Sequence, residues 1–524
     1  MRRAHFVAIF HAVLGGAPLF LYSCFNPLGV HIRALIKQTE RPVDTLWSTM
    51  TSVLFAGQIV GCLSAHWLAD RIGRRDTTMI VKNALAVVCC VTAYLGAEYR
   101  VPELLIAARF LVGIVTIQTY MAGLYMAECA PTSCRGTVST IPILGERIWL
   151  ITGIFVDMHN WPARLLLPVV PILMHALGVF WLPRSPKFLY IARNQRNEAA
   201  RSIRFYHGAD ADVTEVLQHY DLEKQLAHDR VTGSSGYRHV NWRELLEARH
   251  LRIPLLLCIL VFCARPLGGP DLANHYSTDI LTKNGIPDHV AALYSAVFLQ
   301  VPALFAGITG TTLIDRVGRR PFLLLGFSTS ITGVALLFLS TSLREYELLP
   351  ASFDSALSVL SICALLLSLC GTAIGPTMIQ SILPGELCVQ SVRMACFGIA
   401  FIFDNLLSIG ILFLYPLLSA SIGPPALLPL TFLGVVDVFF LTRHLPETRG
   451  KTVDEIGRRW LAKVDVEVDA DVNEKKTAVD DATAADVKLI REIGGADKID
   501  DEITNRLLEQ STSDHEADEQ TVQT

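Results

Sequence analysis

Asp70-Arg71-Ile72-Gly73-Arg74-Arg75 returns almost unchanged as Asp315-Arg316-Val317-Gly318-Arg319-Arg320, each time at the exit of a long apolar run. A short basic turn between two hydrophobic segments marks a cytoplasmic hairpin, because Lys and Arg flanking a membrane span are retained on the inner side. Its double occurrence predicts a duplicated helical bundle. The rest of the chain agrees: of 524 residues 51% are hydrophobic and 18% charged, and the mean hydropathy is +0.41. That is more apolar than a soluble surface allows, so the chain reads as a polytopic all-α membrane protein.

Apolar runs long enough to cross a hydrocarbon core of about 30 Å occur at 5–32, 46–69, 77–98, 101–127, 138–158, 163–182, 251–280, 288–314, 321–341, 352–383, 392–419 and 424–443, which makes twelve predicted spans. The first follows Arg2-Arg3 and outruns a signal peptide's apolar region without a small-residue cleavage site, so it reads as a retained span. Arg71, Arg74, Arg75, Arg135, Arg316, Arg319, Arg320 and Arg393 fall in alternate loops, on the same side as the 183–250 insert. Those loops, and both termini, are expected to be cytoplasmic. The twelve cysteines lie in spans or at their inner ends, with no spacing that suggests a disulfide framework or a metal site.

Four segments follow: an N-terminal six-helix bundle over 1–182, a cytoplasmic linker with short helices over 183–250, a C-terminal six-helix bundle over 251–445, and an acidic cytoplasmic tail over 446–524. From Lys463 to Thr524 the tail holds 18 acidic and 7 basic residues, a charge of −11 in a chain whose total is −4. Such a segment reads as a largely disordered, solvated extension, with binding of a cytoplasmic partner as the sharper alternative.

A second repeat supports the duplication. Glu128 precedes Arg135 by seven residues in the first half, and Glu386 precedes Arg393 by seven in the second. Carboxylates at these inner span ends suit bidentate pairing with the guanidinium groups of the basic turns. The expected inner-gate network comprises Asp70, Arg71, Arg74, Arg75, Glu128, Arg135, Asp315, Arg316, Arg319, Arg320, Glu386, Arg393 and Glu447. It would latch the two halves together while a central cavity faces outward and break when it faces inward; the plainer reading is that the arginines only fix topology.

These residues bring the chain to a known family. It resembles the sugar porter branch of the major facilitator superfamily, which contains the facilitative glucose transporters, over about residues 1–456. The resemblance rests on the two basic turns, Arg109-Phe110-Leu111-Val112-Gly113, Tyr125-Met126-Ala127-Glu128 with Pro131 and Arg135-Gly136, Pro183-Arg184-Ser185-Pro186-Lys187-Phe188-Leu189, and Pro446-Glu447-Thr448-Arg449-Gly450-Lys451-Thr452. It implies two pseudo-symmetric six-helix bundles, alternating access, and an inner-face salt-bridge network.

The family's sugar-coordinating set is not preserved. Aligned on His275-Tyr276-Ser277-Thr278, Arg265 and Pro266 occupy the paired-glutamine positions of the seventh span and Asp271 that of an asparagine. Ser381 stands for the tenth-span tryptophan, although Gly375-Pro376 survives; Ile143 falls at or near the fifth-span glutamine, and Asp404 and Ser408 replace eleventh-span asparagines. Ile143, Arg265, Asp271, Ser381, Asp404 and Ser408 are therefore the candidate substrate-binding positions. Arg265, Asp271, Glu146, Arg147 and Asp404 are ionisable groups inside spans, where each must face a cavity or a partner. Two readings follow: Arg265 grips an anionic or zwitterionic substrate, or it pairs internally with Asp271, with Arg147 serving Glu146 or Asp404.

Proton-driven relatives carry an acid in the first span, whereas residues 1–39 contain no Asp or Glu, which favours facilitative uniport. Asp271 and Asp404 leave proton or ion coupling open, and His11 reads as a packed or hydrogen-bonded histidine or as a titrating one. Gly15-Gly16, Gly268-Gly269-Pro270 and Gly375-Pro376 interrupt spans, allowing bending around a water-lined cavity or close helix packing. The expected function is a plasma-membrane carrier of a sugar-like or small organic, even anionic, solute. The competing class is a nontransporting sensor on the same fold. The partners are a small solute and the lipid bilayer. No nucleotide loop, metal cluster or nucleophile arrangement points to an enzyme or a cofactor, and no basic face suits nucleic acid.

Overall fold

The structure is a computed structural model and describes residues 2–25, 28–38, 42–77, 81–131, 161–208, 211–221 apart from 219, 249–287, 298–388 and 390–449, with single positions at 138, 141, 145, 148–149, 151–152 and 290–291. Residues 1–456 form one compact unit. The chain is helical throughout the described residues, without strands. Seven helical stretches there are long and apolar enough to cross a membrane: Val43–Ser64, Trp161–Val179, Arg252–Lys283, Arg319–Glu345, Asp354–Pro384, Cys396–Ile422 and Pro424–His444. Large apolar side chains such as Val170, Leu177, Leu325, Phe432 and Phe439 are exposed on the outer faces of these helices, as a hydrocarbon solvent requires.

The first span is broken. Helix α1 (Arg2–Phe10) runs into a π-turn at His11–Gly15, and the chain resumes as α2 (Leu19–Ser23) and α3 (Gly29–Gln38). The following spans are regular: α4 (Val43–Ile72), α5 (Lys82–Glu98) and α6 (Pro102–Cys129), the last entered through a proline whose missing N–H is no loss at a helix start. α4 and α6 touch backbone to backbone, since a Cβ on Gly57 would lie 2.0 Å from the Phe110 carbonyl oxygen and one on Gly113 2.0 Å from that of Leu54. The predicted span 138–158 falls almost wholly outside the described residues. Helix α7 (Val169–Val179) completes the first half, and the linker contributes α8 (Arg196–His207). The helix expected from Glu215 to Leu226 is seen over 213–218; its later part lies outside the described residues.

In the second half the seventh span is split into α9 (Arg249–Leu267) and α10 (Pro270–Lys283). Then come α11 (Gln300–Val317), α12 (Arg319–Glu345), α13 (Asp354–Ile374), α14 (Pro376–Leu387), α15 (Gln390–Ile422) and α16 (Leu428–His444). Helix pairs are joined by hydroxyls, as expected where water cannot serve: Ser330 to Thr372 at 2.9 Å and Ser340 to Ser361 at 2.9 Å. Both basic turns reverse at a glycine with positive φ, Gly73 at 97° and Gly318 at 108°, so the repeat seen in sequence is a repeat of backbone shape. The halves meet along α4 and α15.

Candidate functional site

The break in the seventh span sets up the centre of the molecule. Gly269 takes a left-handed conformation (φ 83°), and Pro270 opens α10 without needing an N–H partner. The freed carbonyl of Gly268 accepts a 2.6 Å bond from the Ser368 hydroxyl. Arg265 therefore stands just before the break and Asp271 just after it.

Across the break, Arg265 Nη1 donates to Asp271 Oδ1 at 2.9 Å. The same guanidinium forks onto Asp404 of α15, Nε to Oδ1 and Nη2 to Oδ2, both at 2.9 Å. Ser408, one turn along α15, accepts from Nη2 at 3.1 Å and donates to Asp271 Oδ2 at 2.7 Å. Both carboxylates are buried and only 16% of the Arg265 side chain is exposed. One cation thus serves two anions. Four of the six candidate substrate positions meet in this cluster. Of the other two, Ile143 and the side chain of Ser381 lie outside the described residues. Asp404 is partnered by Arg265; Arg147 and Glu146 also lie outside the described residues.

Beside the cluster, the first half contributes Arg109, which is fully buried and donates to the carbonyls of Met50, Leu21 and Tyr22 while stacking over Phe25 at 4.6 Å. Its Nη2 points at His275 Nδ1, 3.4 Å away. Arginine can only donate, so Nδ1 is the acceptor and the ring proton sits on Nε2. Among the described residues that buried atom has no hydrogen-bond partner, nor have Gln380 Oε1 on α14 and Asn405 Oδ1 on α15. None of these three was singled out from sequence. His275 and Asn405 flank recognised positions, but no local pattern marks an unfilled hydrogen bond.

The two halves are tied at the end remote from the basic turns. Arg33 of α3 forms an ion pair with Asp279 of α10 and lies over the Trp47 ring at 5.1 Å. Thr51 Oγ1 and Tyr276 OH are 2.8 Å apart, and Tyr276 also donates to the Leu412 carbonyl.

At the basic-turn end each half has its own network among the described residues. In the first, Arg75 and Arg184 bracket Asp76 at 2.8 Å each, Arg75 also reaches the Leu182 carbonyl, and Ser185 donates to Glu128 at 2.6 Å. In the second, Arg319 pairs with Glu386 at 3.0 Å, and Thr448 donates to the other oxygen of Glu386 at 2.5 Å. Glu447 accepts the backbone N–H groups of Arg319, Arg320 and Arg449. Partial burial works against its charge, yet these amides outweigh burial and hold Glu447 below the usual glutamate range. Arg71 is exposed, its carbonyl accepting from Arg193. The side chains of Asp70, Arg74, Arg135, Asp315, Arg316 and Arg393 lie outside the described residues. Sequence reasoning missed Asp76, and it quoted Ser185 and Thr448 only as motif letters. In both halves a hydroxyl two residues after a proline, in Pro183-Arg184-Ser185 and Pro446-Glu447-Thr448, caps the motif glutamate.

Residues 4–460 match the family described as sugar (and other) transporter. Similar proteins include the human facilitated glucose transporter member 7 of solute carrier family 2, 28% identical over 429 residues, 79% of each chain. Member 1 from Gallus gallus is 28% identical over 437 residues, 80% of this chain and 85% of that one. Among solved structures, the partially occluded inward-open xylose transporter XylE from E. coli superposes with a TM-score of 0.65 at 17% identity, covering 86% of this chain and 99% of that one. That likeness establishes the major facilitator fold. The chain belongs to the sugar (and other) transporter family, and is an integral membrane transporter of a small-molecule solute, not an enzyme.

Proposed function

We propose that the protein is a facilitative uniporter of a neutral, hydroxyl-rich solute of the hexose class, working by alternating access between two six-helix bundles in the plasma membrane, with both termini cytoplasmic. The observation that carries the choice of cargo is the saturation of Arg265: its guanidinium is committed to two carboxylates, and the cluster's balance is negative, which disfavours an anion. Apart from the oxygens of Asp437 on α16, the buried polar atoms left without partners on α10, α14 and α15 among the described residues are neutral ones, His275 Nε2, Gln380 Oε1 and Asn405 Oδ1, a donor and two acceptors of the kind that hydroxyl groups satisfy. Relatives named as facilitated glucose transporters support the same class. The ties between halves at the end remote from the basic turns fit a carrier closed at that end. On this reading the remaining inner-gate arginines close that end in the opposite state, and the acidic tail is a solvated extension open to a cytoplasmic partner.

The test is counterflow in liposomes containing the purified protein, with labelled hexoses set against organic anions and cations. Hexose counterflow is expected, and Gln380→Ala or Asn405→Ala should weaken apparent affinity by about tenfold, the equivalent of ~1.4 kcal/mol. Counterflow confined to organic anions would refute the assignment.

A further inference from the structure

The buried charges around the seventh-span break do not balance. Arg265 faces Asp271 and Asp404, and Asp437 of α16 is 4% exposed with neither carboxylate oxygen hydrogen-bonded. Among the described residues, two carboxylates share the one guanidinium that both touch, while Arg109 of the other half is committed to backbone carbonyls. A carboxylate left short of compensation in this setting costs several kcal/mol, a cost that binding a cation removes. His275 lies one turn from Asp271 on the same face of α10 and within the field of Arg265.

We propose that the cluster is a proton-binding site, that Asp404 is the carboxylate that takes the proton, and that its protonation releases the seventh span from the eleventh. The two acids are not equivalent. Asp271 sits in the first turn of α10, where the helix dipole favours an anion, and it also accepts from the Ser408 hydroxyl. Asp404 lies in the middle of α15 and, among the described residues, is bonded by Arg265 alone. A proton delivered from water to one Asp404 oxygen forms one O–H bond and breaks none in the protein. It removes the acceptor charge that holds both arms of the guanidinium fork. Arg265 keeps Asp271, so the two pieces of the seventh span stay joined while their tie to α15 lapses. The other titratable groups facing the cluster are Tyr22 and Arg109 from the first half, Cys263 and His275 from the seventh span, and Asp437 from α16. Among the described residues none of them pairs with Asp404 as a second cation. The proton acts as a gate on carrier movement and needs no fixed stoichiometry with cargo, so the inference is compatible with uniport and rests on the carrier reading only for its transport readout.

Infrared difference spectra of the purified full chain, recorded on acidification, test the site without any cargo. Above the broad bands of the exposed acids, the carbonyl stretch of one buried protonated carboxylic acid should appear in the parent and in Asp437→Asn, and be missing from Asp404→Asn. Asp271→Asn, which leaves one acid for one arginine, should lose it too. In hexose counterflow at equal pH on both sides, the parent should speed up on acidification by at most about tenfold per pH unit, the limit for one proton. Asp404→Asn should be fast and pH-independent. Absence of the band from the parent, its persistence in Asp404→Asn, or its replacement by a sodium-dependent stabilisation would overturn the proposal. A band present without hexose counterflow would instead leave the site standing and remove the cargo assignment.

Discussion

Replacing Arg33 by Gln removes two interactions that join the halves at the end remote from the basic turns: the ion pair with Asp279 and the stacking over Trp47. The paired side chains are 29% and 22% exposed, so the ion pair is screened and contributes about 0.5–1 kcal/mol. Stacking of a guanidinium on an indole at a half-exposed site adds about 0.5–1 kcal/mol. The Thr51–Tyr276 bond remains and keeps the helices aligned. A loss of about 1–2 kcal/mol multiplies the share of molecules open at that end by roughly 5–30. A state present at about one part in a hundred would become readily visible. The assay is a pulsed electron-spin distance measurement between labels at Lys37→Cys and Lys283→Cys, both exposed positions at this end, in an otherwise cysteine-free protein. Arg33→Gln and Asp279→Asn should each lengthen the distance distribution, and the double variant should exceed either single one by less than their sum. High salt should move the parent part of the way. Distributions identical to the parent in Arg33→Gln would show that these contacts do not hold the end closed.

Arg265→Ala strands two buried carboxylates and should destabilise the purified protein by about 3–5 kcal/mol, while Arg265→Met combined with Asp271→Asn and Asp404→Asn should recover most of the loss. A thermal unfolding midpoint unchanged by Arg265→Ala would contradict the cluster's role. Glu447→Gln gives a pH signature. Because the folded-state carboxyl is held below its ordinary value of 4.5, its contribution is complete above that pH and is lost as pH falls through the lower folded value. The variant should melt earlier than the parent near neutral pH, the gap closing under acid; a gap that persists there would mean that the backbone amides are not its source.

The duplication was legible because it is local. Asp-Arg-x-Gly-Arg-Arg states its own hairpin, and Gly73 and Gly318 have the positive φ that such a turn needs. The helix break at Gly268-Gly269-Pro270 could be read for the same reason. The internal pairing of Arg265 was one of two readings open from sequence, since adjacency in one span suggested Asp271. That Asp404 supplies the second carboxylate, 139 residues away, depends on how α15 lies against α9, which no pattern in either segment records. Asp437 is a different omission. It lies inside a predicted span, yet a single acid in an apolar run gives no hint of whether another helix brings it a partner, and among the described residues none does. The capping hydroxyls were hidden by their placement, because Ser185 and Thr448 follow the last span of each half and reach acids 57 and 62 residues earlier.

Those two hydroxyls carry a practical lesson about where the transporter ends. Each bundle is buttoned at its inner rim by the few residues that leave it, so the linker's first residues belong mechanically to the first bundle and those after α16 to the second. A shortened version cut at the last hydrophobic residue would strip Glu386 of Thr448, and the amides of Arg319 and Arg320 of Glu447. The smallest piece able to swing as a solid body runs through Arg449, not to the membrane's edge.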